Sequence, residues 1–359
     1  MKWIRRVVVI VSIVVVSGAF FIKPIILFLA TEQLKKVFPG SIVAIDDAKV
    51  ALFRQLNLLN IKIKKDPFYD FSVAQATIQY TPASIIHATI PKVILKNAAL
   101  TINMAEQSIQ DFKAHLNRGD AKSVFMVNSL ELSNITLNLT AKEVKAKIAI
   151  SLVLDAAHQL LQSCNLAIDS LSSGGFQLEN ASFNVASQNE SPGSLFIGSM
   201  RYADIAVREV KGRARLENTF LVLDTLSAKL LGGEARGELR LSLDQAMRYR
   251  ARIEFTRLDL DTVADDFRLK EKLELQGKLS GSVMLEGSGV AIDMIDGDLS
   301  AAGNGGQLPI KDTRYLSNLA RSTNQSLDII VDSFKNYHYN TGVMKLFLQG
   351  DALIFDIRL

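Results

Sequence analysis

The most acidic stretch of the chain, DLDTVADD at residues 259–266, is the first candidate for metal chemistry. Carboxylate oxygens are the ligands that calcium prefers, and an EF-hand loop requires glycine at its sixth position and glutamate at its twelfth. A loop that began at Asp259 has Ala264 and Lys270 at those positions, which argues against calcium. Acids placed like this are typical of a strand-to-helix junction, where they cap the helix.

Nucleophiles, metal ligands and phosphate-binding loops give no better candidate. The histidines, His87, His115, His158 and His338, lie far apart without HExxH spacing, and the one cysteine, Cys164, excludes an intrachain disulfide and a cysteine cluster. The sequence contains no GxSxG elbow, no GxxxxGK[ST] loop and no GxGxxG after a strand. No pair of carboxylates stands out as the acid and base of a hydrolase. We therefore predict that the protein is not an enzyme and that it uses no metal and no cofactor.

Net charge argues against a nucleic-acid partner. The chain has 41 basic and 37 acidic residues, and its net charge of +4 equals the contribution of Lys2, Arg5, Arg6 and Lys23 at the N-terminus. The rest of the chain is therefore electrically balanced. A protein that neutralises phosphates carries a marked basic excess instead. We predict that it binds no nucleic acid.

The basic N-terminal residues flank an apolar segment. MKWIRR precedes an uncharged run at residues 7–22, and the apolar sequence resumes shortly afterwards as IILFLA. Together these runs reach the roughly 20 residues that a membrane-spanning helix needs, and positive charges before the span favour a cytoplasmic N-terminus. We predict that residues 1–30 form an uncleaved single-pass anchor. A cleaved signal peptide, with SGA at 17–19 near the cleavage site, is the alternative.

Most of the chain after this segment alternates apolar and polar residues with a period of two. In LELQGKLSGSVMLEG, at 273–287, leucine, valine and glycine share one parity and polar residues share the other. The same pattern recurs in LGGEARGELRLSL at 231–243, in RYRARIEF at 248–255 and in VKAKIAISLVL at 144–154. A period of two is typical of strands with one dry face and one wet face, as in an antiparallel sheet with one solvated side.

The predicted helices are too few to cover so much apolar sheet. Either two sheets close into a sandwich, or one elongated sheet curves into an open groove. Small residues relieve crowding on a concave face, so dry-face glycines favour curvature; ordinary bulges or close packing are the alternative explanation. The predicted groove-lining residues are Leu239, Leu241, Ile253, Phe255, Leu275, Leu279, Val283 and Leu285. The predicted curvature glycines are Gly233, Gly237, Gly277 and Gly281, and the residues expected outside are Arg240, Arg252, Lys278 and Glu286.

Short helices, turns and a C-terminal hairpin complete the predicted elements. Helices are predicted at 105–116 and 261–272, and TRYLSNLA begins another. Turns suited to positive φ are predicted at EGSGV and at Asp296-Gly297. VMKLFLQGDALIFDIRL alternates as two strands joined at Gln349-Gly350-Asp351. Because an apolar edge strand invites pairing, we predict that the last strand pairs with another envelope protein or is the cut end of a longer sequence.

Four segments resemble the AsmA-like family, whose relatives include TamB and YdbH. FPGSIVAIDDAKVALFRQLNLLNIKIK (38–64) is similar to the family's opening, and YTPASIIHATIPKVILKNAALTIN (80–103) is similar to the segment that usually follows. Residues 258–306, from LDLDTVADD to GNGG, resemble the C-terminal region with its helix, L-x-G-x-L-x-G strand and hairpins. VDSFKNYHYNTGVMKLFLQGDALIFDIRL (331–359) is similar to the end of YdbH-like proteins.

The resemblance implies a mainly β protein: an N-terminal transmembrane helix, then an elongated, curved antiparallel β-groove with a few short helices, as in bridge-like lipid-transfer proteins. It divides the chain into an anchor (1–30), an AsmA-like β region (31–155), a connecting region (156–200) and an AsmA/YdbH-like groove region (201–359).

The implied function is to bind or transfer membrane phospholipid in an apolar groove during outer-membrane and envelope biogenesis. The implied location is the inner membrane, with the bulk of the chain in the periplasm. No catalytic residues carry over, because the family has no established set. The alternative is a non-catalytic envelope scaffold, or a secretion-system component of the GspN type, in which the apolar faces close into a core and partners bind at sheet edges.

Overall fold

The computed structural model gives a mainly β fold, with curved, unclosed antiparallel sheet and a few short helices. The period-two pattern predicts this class, and the prediction is confirmed. The chain divides into two compact units at Gly174 and Gly175. The described residues are 23–51, 54–104, 126–142, 144–158, 160–187, 192–266, 270, 274, 276–289, 291–309, 313–323, 326–335, 337–350 and 352–358.

The first unit ends at Gly174. Its strands are β1 (Ile42–Ala51), β2 (Gln55–Lys65), β3 (Tyr69–Gln79), β4 (Thr89–Ile90), β5 (Lys92–Met104), β6 (Met126–Val127), β7 (Ser129–Ala141), β8 (Val144–Asp155) and β9 (Leu160–Ser173). The long strands follow the order β1-β2-β3-β5-β7-β8-β9, antiparallel except for the pair β5 and β7. β4 and β6 form a separate parallel ladder.

The second unit begins at Gly175. Its strands are β10 (Phe176–Ala186), β11 (Gly193–Tyr202), β12 (Ile205–Glu217), β13 (Phe220–Leu230), β14 (Gly233–Ser242), β15 (Arg248–Asp259), β16 (Gln276–Ser288), β17 (Ala291–Gln307), β18 (His338–Tyr339), β19 (Val343–Gln349) and β20 (Ala352–Arg358). β10 to β17 form an antiparallel meander, which β19 and β20 extend. β18 pairs with the C-terminal end of β17.

The described helices are α1 (23–37), α2 (Pro82–Ile86), α3 (Leu260–Asp266), α4 (Thr313–Thr323) and α5 (Leu327–Lys335). α3 and α4 confirm two sequence predictions, while the predicted helix at 105–116 lies outside the described residues. Asp259 caps α3, because its carboxylate accepts from the backbone N–H of Asp261 at 3.0 Å. The capping interpretation of the acidic stretch is therefore confirmed.

The two-residue period breaks in the middle of several strands, at residues with positive φ, and in some of these strands the register also shifts, as at a β-bulge. In β2, Leu58 and Ile61 are both 6% exposed although they are three residues apart. Residues three apart in a regular strand face opposite sides, so one extra residue stands on the wet side between them. That residue, Asn60, has φ of 52°. The extra length on the wet side bends the strand toward its dry side.

In the first unit these bulges are aligned from strand to strand. Asn97 in β5 and Asn134 in β7 also have positive φ, 51° and 56°. Neighbouring strands are not paired at these residues, and the interruption lies at the same height in β2, β3, β5 and β7. The Asn134 side-chain amide donates to Oδ1 of the Asn97 side chain at 2.8 Å. The Ser151 hydroxyl accepts from the Asn134 backbone N–H at 2.9 Å. Asparagine suits this position because it tolerates left-handed backbone better than most residues.

The second unit contains bulges of the same kind. Asn180, Glu209, Thr225 and Arg257 lie inside strands with φ between 51° and 58°. The backbone N–H of Arg257 donates to the Ser280 hydroxyl at 2.9 Å, which repeats the pattern of the first unit. Curvature therefore has a second source besides the dry-face glycines that the sequence pattern suggests.

Helix α1 covers the dry face of β1 to β3. Its apolar stripe, together with Phe38, packs on a cluster that includes Ile63 and Val73, which are 1% and 2% exposed. At its N-terminal end Lys23 pairs with Asp47 at 2.5 Å. The stripe consists of Ile26, Leu27, Ala30 and Leu34. We call the region of β1 to β3 beneath α1 the covered corner.

The structure differs from the prediction that the membrane anchor extends to Ala30. Ile26 and Leu27 pack on protein, because α1 presents them to the sheet. Ile25, Phe28 and Leu29, on another side of α1, are more than half exposed. Among the described residues no helix is both long and apolar enough to cross a bilayer. The predicted span at 7–22 lies outside them.

The connecting region and the turns of the sequence analysis can be placed in the structure. The predicted connecting region, 156–200, contains β9, β10 and most of β11, and the division between the units falls inside it. The predicted turn at Asp296-Gly297 is wrong, because both residues lie within β17, where Gly297 is opposite Val283 and Leu346. The predicted turns after Ser288 and at Gly350 are confirmed, with φ of 58° at Gly289 and 61° at Gly350.

Candidate functional site

The dry face of β14 to β17 and β19 is built from rows of side chains that lie opposite one another. Each row mixes large and small residues, so most of the bulky side chains lie beside a glycine or alanine on a neighbouring strand. One row is Leu239, Ala251, Leu285 and Ile295. The next is Gly237, Ile253, Val283, Gly297 and Leu346, and the third is Ala235, Phe255, Gly281, Leu299 and Met344. We call these the apolar rows.

The residues predicted to line a groove lie on this face wherever they are described. Leu279 and Val283 are buried, at 7% and 8% exposure. Leu239, Leu241, Ile253, Phe255 and Leu285 are half-buried. Leu275 lies outside the described residues. Of the residues expected outside, Arg240 and Arg252 are exposed, while Lys278 and Glu286 are half-buried. The two faces are sorted as the parity predicts, and contact with lipid stays a prediction.

Much of the apolar rows is less covered than a protein core. The largest fully buried side chains among the described residues are Ile63 in the covered corner and Leu316 in α4. Facing sheets in a closed sandwich interdigitate and fill the space between them. Leu239, Ile253 and Leu285 are only half-buried, so they lack such a cover. A dry but incompletely covered face is what an apolar ligand requires.

The glycines in the rows allow neighbouring strands to approach closely. A methyl group on Gly237 would overlap the Arg252 carbonyl oxygen, and one on Gly281 would overlap the Asp298 carbonyl oxygen. At Gly233 the nearest backbone oxygen would be 2.6 Å from the added carbon. These three positions therefore exclude side chains for a backbone reason, which agrees with a role in curvature or close pairing.

Gly277 has a different role from the other three. It lies at a bulge between Gln276 and Lys278, with φ of 134°, and a methyl group there would be 2.6 Å from the Tyr339 hydroxyl oxygen. Tyr339 is 5% exposed, and its hydroxyl donates to the Gln276 carbonyl oxygen at 3.1 Å. Gly277 therefore leaves space for the Tyr339 ring, whereas the other three glycines allow neighbouring strands to approach closely.

Tyr339 belongs to the cluster that covers one end of the apolar rows. Leu258, Leu279 and Leu299 from three neighbouring strands pack there with Leu260 from α3, and all four are at most 7% exposed. Leu308, Tyr337 and Met344 pack around the cluster. The rows are thus sealed where β15 ends and β16 begins. Sequence reasoning missed this closure; the Gly305-Gly306 pair is the signal that could have indicated it.

The wet face of the second unit, from β12 to β16, carries ion pairs. Asp224 accepts from Arg213 and Arg215 at 3.0 Å, and Arg250 pairs with Glu286 at 2.8 Å. These pairs are solvent-exposed, so each contributes little to stability. The wet face is therefore an ordinary solvated surface.

The acidic stretch at α3 forms no metal-binding cluster among the described residues. The Lys270 ammonium lies 3.2 Å from Asp261 and 2.5 Å from Asp265. Burial, and after it the charges of Asp265 and Asp204, raise the pKa of Asp266. Within the described part of the chain, no group of three histidine, cysteine, aspartate or glutamate side chains is placed to hold a metal ion.

Comparison of the chain with models of known protein families and with curated proteins finds no match. The resemblance to AsmA-like proteins therefore stays an interpretation of the sequence.

Proposed function

We propose that the apolar rows hold the acyl chains of phospholipids, and that the protein binds or transfers phospholipid without catalysing a reaction. The observation that carries the proposal is the incomplete burial of Leu239, Ile253 and Leu285 on a dry face. Each buried methylene contributes about 0.8 kcal/mol, so even partial burial of an acyl chain gives useful affinity. Headgroups remain in water at the rim.

The proposed location is the inner membrane, with the bulk of the chain in the periplasm and a role in outer-membrane and envelope biogenesis. The uncharged run at 7–22 and the basic residues before it support an N-terminal anchor. Ile25, Phe28 and Leu29, which follow that run directly, are exposed on α1. The sequence resemblance to AsmA-like proteins supports the same location.

A second candidate function is an envelope assembly scaffold that binds partners by strand addition. Among the described residues β20 pairs with β19 alone. Leu353 and Ile357 in β20 are 42% and 54% exposed. An edge of this kind pairs readily with a strand from another chain. A scaffold would use this edge and would need no lipid on the apolar rows.

Native mass spectrometry of the full chain after gentle detergent extraction tests the first proposal. We expect phospholipid to remain bound to the folded protein. Leu239→Asp should remove most of the bound lipid, because it places a charge on the dry face, while Arg252→Asp on the wet face of the neighbouring strand should not. A folded protein free of lipid, or equal lipid on both variants, would contradict the proposal and favour the scaffold.

Leu279→Asp does not separate the two functions well. Leu279 lies in the closed cluster with Leu258 and Tyr339, so an aspartate there would destabilise the second unit under either function. Leu239 is half-buried and has no such cluster around it, which makes Leu239→Asp the sharper probe.

A further inference from the structure

Exposure along β14 to β17 differs between the two ends of the strands. At one end, Leu258, Leu279 and Tyr339 are at most 7% exposed. We call this the closed end. At the other end, the β14–β15 turn and the start of β17 present Leu243, Met247 and Ile292, which are 38%, 50% and 50% exposed. We call this the open end. Of the two ends of the apolar rows, the open end is therefore the more accessible among the described residues.

The closed end is held shut by backbone packing around Tyr339. Methyl groups on Gly277 and Gly306 would lie 2.6 Å and 2.5 Å from the tyrosine hydroxyl oxygen, so neither position has room for a side chain. The backbone of Gly306 pairs with Tyr339 through β18. A ring fixed by a hydrogen bond to Gln276, strand pairing and close glycine contacts does not move aside for a ligand.

The distance between the ends suits an acyl chain that lies along the strands. From Leu279 to Gly287, β16 presents alternate residues to the dry face. Eight residues at about 3.4 Å each span roughly 27 Å. One leaflet of a bilayer has hydrocarbon about 15 Å deep, half of the roughly 30 Å core. The rows are therefore long enough for an acyl chain to reach toward the closed end while its headgroup stays at the open end.

Charge also makes the open end the more favourable one for a phosphate. The closed end carries Asp259 and, in α3, Asp261, Asp265 and Asp266. They outnumber the cations there, which are Arg257, Lys270, which pairs with two of the carboxylates, and Lys278, opposite Asp259. A phosphate there would add a further negative charge to a group of carboxylates.

The open end carries guanidinium groups at or near the ends of β14 and β15. Arg240 lies 4.3 Å above the Phe220 ring. Arg248 pairs with Asp244 at 3.4 Å, and Arg250 pairs with Glu286. These three arginines lie on the wet face, where they outnumber the two carboxylates that pair with them, so a phosphate in water meets a less negative surface at this end than at the closed end.

We infer that phospholipid enters the apolar rows at the open end, with its phosphate beside the β14–β15 turn and its acyl methyl ends pointing toward Tyr339. This inference rests on the proposed function and assigns it an entry side and an orientation. Met247 and Leu243 form the apolar lip that a chain crosses first. Tyr339 is the stop that limits how far the chain penetrates.

Depth-dependent fluorescence quenching tests the orientation on the full chain. In a Cys164→Ser background, a bimane label is attached to a cysteine that replaces Leu241 at the open end or Ala301 at the closed end, with Arg252→Cys as the wet-face control. Phosphatidylcholine carrying a nitroxide near the headgroup or near the acyl methyl end is supplied in vesicles of phosphatidylethanolamine and phosphatidylglycerol. We expect the headgroup-side nitroxide to quench the Leu241 label more, and the methyl-end nitroxide to quench the Ala301 label more.

The other outcomes separate the orientation from the function. A reversed pattern, or equal quenching of both labels by both lipids, overturns the orientation and leaves lipid binding intact. No quenching beyond that of the Arg252 control overturns lipid binding itself.

Loading kinetics test the entry side without a label inside the rows. Met247→Asp changes an exposed residue and should fold normally, yet it should slow lipid loading about tenfold, equivalent to about 1.4 kcal/mol. Ile329→Asp, at a position 60% exposed in α5, is the matched control and should load at the original rate. Equal rates for the two variants overturn entry at the open end.

Discussion

The covered corner and the apolar rows start from the same strand chemistry and reach different states of burial. In both, apolar residues alternate with polar ones. Beneath α1, Ile63 and Val73 are 1% and 2% exposed, whereas Leu239 and Leu285 in the apolar rows are half-buried. The difference is the presence of a helix that packs on one dry face. Alternation therefore creates a dry face, and a separate element decides whether that face becomes core or remains accessible.

The largest expected effect is the cost of removing a core side chain beneath α1. Ile63→Ala should lower the free energy of unfolding of the first unit by about 3 to 4 kcal/mol, because the cavity cannot collapse under the helix. Leu239→Ala should cost the second unit about 1 kcal/mol, because part of its side chain already contacts water. Hydrogen exchange measured peptide by peptide reports the opening free energy of each region separately. Equal losses would show that the apolar rows are a closed core.

The next effect tests whether the apolar rows depend on close strand approach. Gly281→Ala should destabilise the second unit by about 1 to 3 kcal/mol, because the added methyl meets the backbone carbonyl of Asp298, which cannot rotate away. The adjacent wet-face change Ser282→Ala is the control and should stay within about 0.5 kcal/mol. Urea denaturation measures both. A neutral Gly281→Ala would mean that the strands have room for side chains and that the glycines are not needed for pairing.

A smaller effect concerns the bulges, which both regions share. Asn134→Val should cost about 1 to 2 kcal/mol, because a β-branched residue is poorly accommodated at positive φ. Asn134→Gly loses the same hydrogen bond to Asn97, but glycine adopts positive φ without strain. The difference in stability between the two variants therefore measures the cost of a β-branched residue at positive φ. Thermal unfolding of both variants provides the measurement. If both lose equal stability, the side-chain hydrogen bond rather than the bulge conformation holds the strand.

The smallest effect is a pH dependence in the first unit. The hydrogen bond from Lys92 lowers the pKa of Glu131, with a further contribution from Ser133. A lowered pKa in the folded state stabilises the protein above the unfolded pKa, and this stability is lost as the pH falls through the folded pKa. Glu131→Gln should remove this contribution, a change of less than about 1 kcal/mol at neutral pH, because the pair is partly exposed. Stability measured at neutral pH and at about pH 3 should differ less in the variant than in the original chain.

Several features could be predicted from the sequence because they depend on neighbours along the chain. The parity of Leu239 and Arg240 assigns them to opposite faces, since successive side chains in a strand alternate. Asp259 caps α3, and Gly350 forms the turn between β19 and β20. Each acts on residues only a few positions away. Local geometry of this kind is fixed by a few consecutive residues.

Other features were missed because they depend on residues far apart in sequence. Gly297 has the appearance of a turn residue, yet pairing with β16 on one side and β19 on the other holds it inside β17. The period-two pattern gave no warning of the bulge at Arg257, whose N–H is satisfied by Ser280 on the next strand. The partner of this left-handed residue lies 23 positions away in sequence, where local patterning does not reveal it.

The sequence by itself determined that this protein forms strands with one dry face, because the two-residue period of apolar side chains is a local property of the chain. Only the tertiary structure decided which dry faces are covered. α1 reaches Ile63 and Val73 through packing, and Tyr339 closes one end of the apolar rows through a hydrogen bond to Gln276, 63 residues earlier. Burial depends on what lies above a surface, and that is set by contacts between distant segments.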